Sequence, residues 1–183
     1  MSLTYGILGL LKYKDNTGYD LAKLFNDSLK FFWDARTSQI YRELNRMEKT
    51  GLLSSRTVVQ EGKPNRRVYS ITSEGEAEFT RWLRDFHFSM ENHHHAILMR
   101  LFFSDEIEME ATKVLLRECS EQCKSMVRIL ENIVKANSIA ISEQVEMGKR
   151  KKLYWDMAIS FGITQHKSMI RWAEDCIKKM ESR

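Results

Sequence analysis

Gln39, Arg42, Arg46 and Lys49 recur every three or four residues, a spacing that places them on one face of an α-helix with Tyr41 and Asn45 on its flank. Such a face donates hydrogen bonds and carries positive charge. Arginine can pair bidentately with guanine, and asparagine or glutamine with adenine, so Gln39, Arg42, Asn45 and Arg46 are candidate base readers on a duplex, with phosphate contacts equally open to them. On the other side Ile40, Leu44 and Met47 recur at i, i+4, i+7 and form a single stripe to bury. Thr37 or Ser38 is expected to cap the start of this helix, and Gly51 to end it. One basic helix is equally well explained as a solvated face, so the residues around it decide between the two readings.

Residues 53–59 and 67–71 are β-prone runs joined by Glu61, Gly62, Lys63, Pro64 and Asn65, of which the glycine, proline and asparagine favour a turn. They predict a hairpin with Lys63, Arg66 and Arg67 near its tip and with Tyr69 and Ile71 alternating inward. Upstream, residues 4–11 are apolar and compact. Gly18-Tyr19-Asp20-Leu21 then leads into a second helix, with Leu21, Leu24 and Phe25 at helical spacing. Three helices followed by a basic hairpin make a winged helix-turn-helix. Its DNA-facing set is Thr37, Ser38, Gln39, Tyr41, Arg42, Asn45, Arg46 and Lys49 on the third helix, and Lys63, Asn65, Arg66 and Arg67 on the hairpin. Between Arg36 and Arg67 there are eight lysines and arginines against three glutamates, a net +5 where the whole chain carries only +4. Cations concentrated in this way gain affinity for a duplex by releasing its condensed counterions.

Four stretches of this half resemble PadR-type transcriptional regulators: residues 4–11 (TYGILGLL), residues 18–21 (GYDL), residues 38–44 (SQIYREL) and residues 62–69 (GKPNRRVY). The likeness runs over residues 4–83, and the family's Thr-x-x-Gly at the fourth helix is matched by Thr72-Ser73-Glu74-Gly75. The resemblance implies a homodimeric winged-helix repressor, with Tyr41 and its helical neighbours on the DNA and the turn from Lys63 to Arg67 as the wing. The length resembles members with a long helical C-terminal dimerisation domain. That arrangement would set two recognition helices about one helical turn of DNA apart on a palindromic operator.

Six of the eight glycines and the one proline fall before Trp82, so turns belong to the first half and long helices to the second. The expected fold is mainly α. It has an N-terminal winged helix-turn-helix (three helices, a β-hairpin wing and a fourth helix) over residues 1–84, a linker over 85–95 and an all-helical C-terminal domain over 96–183. Asp105 and Glu108 have capping-box spacing, and Leu116, Cys119, Cys123, Met126, Leu130 and Ile133 form one stripe behind them. After a basic break at residues 149–152, Ile163, Ile170 and Ile177 recur every seven residues, with His166, Ala173 and Met180 three positions after each. This a/d seam is suited to packing on a partner subunit or on its own neighbour, and Ile163, Ile170, Ala173, Ile177 and Met180 are the expected dimer contacts.

Other chemistries find less support. His93, His94 and His95 are consecutive and point in three directions, and His166 lies far along the chain, so no metal site and no cofactor is expected. Cys119 and Cys123 share a helix face, where a metal or redox pair is conceivable but two small buried hydrophobes are the ordinary use. Three cysteines cannot all pair within one chain, which fits a reduced intracellular protein. There is no nucleophile elbow, phosphate loop or HExxH arrangement, so no enzyme is expected. The longest apolar run, residues 97–103, is broken by Arg100 and falls far short of the roughly 20 residues of a membrane span. No leader pattern opens the chain, and cytoplasmic residence is the expectation. Phe31, Phe32, Trp33, Trp82, Phe86, Phe88, Tyr154, Trp155, Phe161 and Trp172 bracket the domain junction. They would suit a core, or the aromatic surroundings in which the family's small-molecule regulators hold a flat, apolar effector. The reading from another class is a winged-helix scaffold that binds proteins and not specific DNA.

Overall fold

The structure, a computed structural model, describes residues 2–30, 32–59, 62, 65–85, 95–144 and 149–182. It divides into two compact units, Met1–Met90 and Glu91–Arg183.

The first unit contains α1 (Ser2–Leu11), β1 (Asn16–Thr17), α2 (Gly18–Ser28), α3 (Thr37–Lys49), β2 (Leu53–Val58), β3 (Arg66–Ile71) and α4 (Ser73–Arg84). Its core joins Ile7, Leu8 and Leu11 of α1, Leu21 and Phe25 of α2, and the α3 stripe Ile40, Leu44 and Met47, every one of them buried. Leu24 is exposed, so the buried face of α2 is narrower than its spacing implied. The strands form an antiparallel sheet in the order β1-β3-β2, with Leu53 opposite Ile71 at one end of the hairpin and Val58 opposite Arg66 at the other. β1 was not expected. Two residues long, it lies along β3 by pairing Asn16 with Tyr69, and Thr17 then caps α2 by accepting the Asp20 N–H at 3.1 Å.

Neither Thr37 nor Ser38 caps α3. The helix begins at Thr37 itself, and the Gln39 side chain reaches back so that its Oε1 accepts the Arg36 N–H at 2.8 Å. At the far end the Leu52 N–H bonds the Met47 carbonyl and the Gly51 N–H bonds that of Glu48, a Schellman closure. It requires a left-handed residue, supplied by Gly51 at φ 78°. Thr72 joins this turn to α4: its hydroxyl donates to the Gly51 carbonyl at 2.7 Å and accepts the Gly75 N–H at 3.0 Å. The Thr-x-x-Gly spacing is thus a helix cap tied to the end of α3.

The second unit contains α5 (Ala96–Phe102), a 3-10 turn (Ser104–Glu106), α6 (Met109–Gln144) and α7 (Lys149–Glu181). Asp105 lies in the 3-10 turn and Glu108 precedes α6, so the two do not form the expected capping box. Residues 149–152 do not break the chain either, because α7 starts at Lys149. Ion pairs of Lys124 with Glu174 (3.2 Å) and of Lys167 with Glu131 (3.2 Å) show α6 and α7 running antiparallel. Leu116, Val127 and Leu130 of α6 and Ile159 and Ala173 of α7 are buried here, together with Thr112 and Ser120, whose hydroxyls have no hydrogen-bond partner among the described residues. The expected α6 stripe omitted those two polar positions and Val127.

α3 is also bound to α1 by polar contacts. The Thr4 hydroxyl donates to Glu43 Oε1, and Arg46 donates from Nη2 to Glu43 Oε1 at 2.6 Å and to Thr4 Oγ1 at 3.1 Å. The Arg46 hydrogen bond, aided by that of Thr4, outweighs burial and holds the Glu43 carboxyl below the usual glutamate range. A carboxyl kept ionised by the fold contributes stability above the ordinary glutamate range and loses it as pH falls through the lowered one. Thermal unfolding followed from pH 7 to pH 3 should show Tm falling in acid, with a shallower fall for Glu43→Gln; equal pH dependence in the two proteins would contradict this role.

Candidate nucleic-acid interface

Burying Ile40, Leu44 and Met47 turns the opposite face of α3 outward, and Thr37, Ser38, Gln39, Tyr41, Arg42, Asn45, Arg46 and Lys49 are all exposed on it. Between this face and the hairpin lies an open cleft of about 720 Å³. Tyr41 and Asn45 of α3 line one wall and Asn65, Arg66, Arg67 and Tyr69 the other. Five of the residues expected at the interface therefore share one concave surface, while Thr37, Ser38, Gln39, Arg42, Arg46 and Lys49 stand on the helix outside it. Lys63 lies outside the described residues.

The start of α2 forms a third wall, through Thr17, Gly18, Tyr19 and Asp20. These were missing from the expected set, although the Gly18-Tyr19-Asp20-Leu21 stretch was noted. Gly18 explains the arrangement: a Cβ there would lie 2.6 Å from Tyr41 Cε1, so only glycine lets the tyrosine ring rest against the first turn of α2. Tyr41 is in this way positioned by a neighbouring helix, and Tyr19 next to it is largely exposed.

The cations fall into two groups. Arg46 is held by Glu43 and Thr4, Arg56 pairs with Asp15 at 3.0 Å, and Arg67 is bonded to Glu48 and Ser55. Their charges are largely compensated within the fold. Arg36, Arg42, Lys49 and Arg66 have no acidic partner among the described residues, and all four are exposed. Gln39 is half engaged, since its Oε1 holds the start of the helix and only its amide NH₂ remains to meet a base edge. The open charge is thus less than the +5 of the sequence and lies on α3 and at the turn end of the hairpin.

Residues 7–81 match the Transcriptional regulator PadR-like family, and residues 95–181 match the Virulence activator alpha C-term family. Residues 7–81 thus carry a PadR-like domain of the kind found in transcriptional regulators. The chain is 40% identical over 81 residues to the negative transcriptional regulator PadR of Bacillus subtilis, a match that covers 44% of either chain. The matched stretch spans somewhat under half the length of the curated relatives. Whole-chain likeness is found among solved structures. B. subtilis PadR in complex with operator DNA superposes with TM-score 0.82 at 23% identity, covering 98% of this chain and 99% of that one. The Vibrio cholerae virulence activator AphA does so with TM-score 0.74 at 26% identity, covering 98% of each. The winged-helix fold of the PadR-like unit and the helical second unit are thus both those of known regulators.

The two groups of arginines should separate on mutation. Arg42→Ala is expected to weaken duplex binding by about 1–3 kcal/mol for a lost base contact and to leave Tm nearly unchanged. Arg46→Ala is expected to lower Tm, because it leaves Glu43 without its partner, and to weaken binding less. Melting curves and fluorescence anisotropy on a labelled duplex distinguish them, and a reversed pattern would contradict the assignment.

Proposed function

We propose that the protein is a homodimeric, cytoplasmic DNA-binding repressor that reads a palindromic operator and is released by a small-molecule effector, with no catalytic activity of its own. The observation that carries the proposal is the open cationic face of α3, with Arg42 and Lys49 unpaired among the described residues, beside the cleft that ends on Arg66. Unpaired cations supply the counterion-release affinity, and Arg42, Asn45 and the free amide of Gln39 supply groups of the kind that read base edges. The relative at 40% identity is a negative regulator, and structures of B. subtilis PadR are known with operator DNA and with p-coumaric acid. Both support the reading.

Dimerisation is assigned to the second unit. Ala173 is already enclosed within the single chain, while Ile163, Ile170, Ile177 and Met180 are half-buried, and α6 is the principal packing partner of α7. The seam therefore serves the α6–α7 pair first. Leu153, Met157 and Phe161, at i, i+4, i+8 on α7, keep 54%, 58% and 69% of their surface exposed and supply a further apolar stripe for a second copy.

An effector has room in the same unit. A cavity of about 500 Å³, within the range of small-ligand sites, is walled by Leu101, Ile107, Met109 and Met180, with Lys179 and Asp105 among its polar residues. None of the aromatic residues expected around an effector lines it. Trp82 instead stacks on Tyr5 with ring centroids 4.4 Å apart, and Phe31, Phe86 and Phe88, like His93 and His94, lie outside the described residues. Among the described residues no cluster of His, Cys, Asp and Glu could hold a metal, and no helix is long and apolar enough to cross a membrane.

Genomic fragments retained by the protein should share an inverted repeat, with affinity that falls steeply with salt and exceeds that for random DNA. Light scattering should give the mass of two chains. No retention on any duplex at low salt would overturn this function in favour of a protein-binding scaffold.

A further inference from the structure

Arg66 and Arg67 are neighbours on β3 and both line the cleft, yet they differ in what holds them. Arg66 has no acidic partner among the described residues. Arg67 closes a ring of three side chains: its Nε donates to Ser55 Oγ at 2.8 Å, Ser55 donates to Glu48 Oε1 at 2.6 Å, and Arg67 Nη2 donates to the other oxygen of Glu48. The guanidinium also lies 5.3 Å from the centre of the Tyr69 ring. Glu48 is on the last turn of α3, Ser55 on β2 and Arg67 on β3, so the ring connects the recognition helix to both strands of the hairpin. Glu48 does not line the cleft. A phosphate entering from that side meets the guanidinium first, with the carboxylate behind it.

We infer that Glu48 is a specificity-determining latch, which keeps the Arg67 guanidinium neutralised until a phosphate of the correct register draws it away. The inference rests on the DNA-binding function proposed above and goes beyond it. Arg66 attracts any phosphate that comes near, because no acid among the described residues competes for it. Arg67 must exchange a carboxylate for a phosphate, and only a backbone that fits the cleft along its length brings a phosphate close enough for that. Arg67 is 48% exposed and Glu48 26%, so solvent screens the pair and the exchange is accessible. Ser55 can keep its bond to Glu48 while Arg67 moves, which preserves the position of the carboxylate. The lowered Glu48 pKa, due first to Ser55 and then to Arg67 against the opposing effect of burial, keeps the latch charged at neutral pH.

Glu48→Gln tests this, since the amide oxygen can still accept from Ser55 while the competing charge, and the second oxygen that held Arg67, are removed. Binding is measured by anisotropy on a random-sequence 30-base-pair duplex and on a fragment enriched from genomic DNA, each over a series of salt concentrations. The variant is expected to bind random DNA about 3–10-fold more tightly at low salt, with a salt slope steeper by up to about one. Its gain on the enriched fragment should be smaller, so that discrimination falls. In an Arg67→Gln background the same substitution should leave the slope nearly unchanged. If Glu48 merely braces the hairpin, Glu48→Gln will weaken binding to both duplexes with an unaltered slope, and the inference is overturned. It is equally overturned if the slope changes as much without Arg67, because Glu48 then acts as a bulk charge. A wild-type protein that binds neither duplex fails the DNA-binding function itself, a result distinct from either of these.

Discussion

The burial of Ile40, Leu44 and Met47 is the contact on which the rest of the first unit depends. All three are fully enclosed, and together they fix the rotation of α3 about its axis. Each buried aliphatic side chain of this size contributes about 1.5–3 kcal/mol by removal from water. That is far more than any exposed ion pair, whose contribution is about 0–1 kcal/mol. A helix of 13 residues is marginal in water on its own, and the apolar stripe holds it in place. With the stripe buried, Arg42, Asn45 and Lys49 have only the solvent side to occupy. The Schellman turn at Gly51 then fixes where β2 departs, and the hairpin stands beside that face as a consequence.

Charge is the second constraint. A basic surface repels itself, and this fold limits the repulsion by placing Glu43 and Glu48 on the same helix as the cations. Glu43 ties α3 to α1 through Thr4, and Glu48 ties it to the hairpin through Ser55. The acids thereby make two of the arginines structural in the free protein and leave Arg42, Lys49 and Arg66 available. Total positive charge consequently overstates the charge that a duplex first meets, and the difference bears on non-specific affinity, which is electrostatic.

Some of this was legible in the residues alone. The α3 stripe, the glycine stop and the turn-forming residues of the hairpin are local signals, and PadR-like motifs recur where those signals lie. What escaped is set by contacts across the chain. Arg46 has the spacing of a base reader; Glu43 three residues before it is its main partner, and Thr4, 42 residues away, closes the site that holds both. Arg67 looks like a free wing cation until Ser55 and Glu48 are brought to it. β1 is only two residues long, which gives periodicity nothing to register. In α6 the buried positions include Thr112 and Ser120, so a stripe drawn from apolar residues alone misses part of the true face. The Ile163–Ile170–Ile177 repeat signals helix pairing without naming the partner, and within the single chain α6 fills much of that role.

The central claim is that DNA is read by the outer face of α3 and the adjoining cleft. Amide hydrogen exchange with and without a genomic fragment enriched by the protein tests it most directly, because bound segments exchange more slowly. The account predicts new protection in residues 37–49, in residues 65–69 and at the start of α2, with α1 and α4 little changed. Protection confined to α1 and α4, or to the second unit alone, would contradict it.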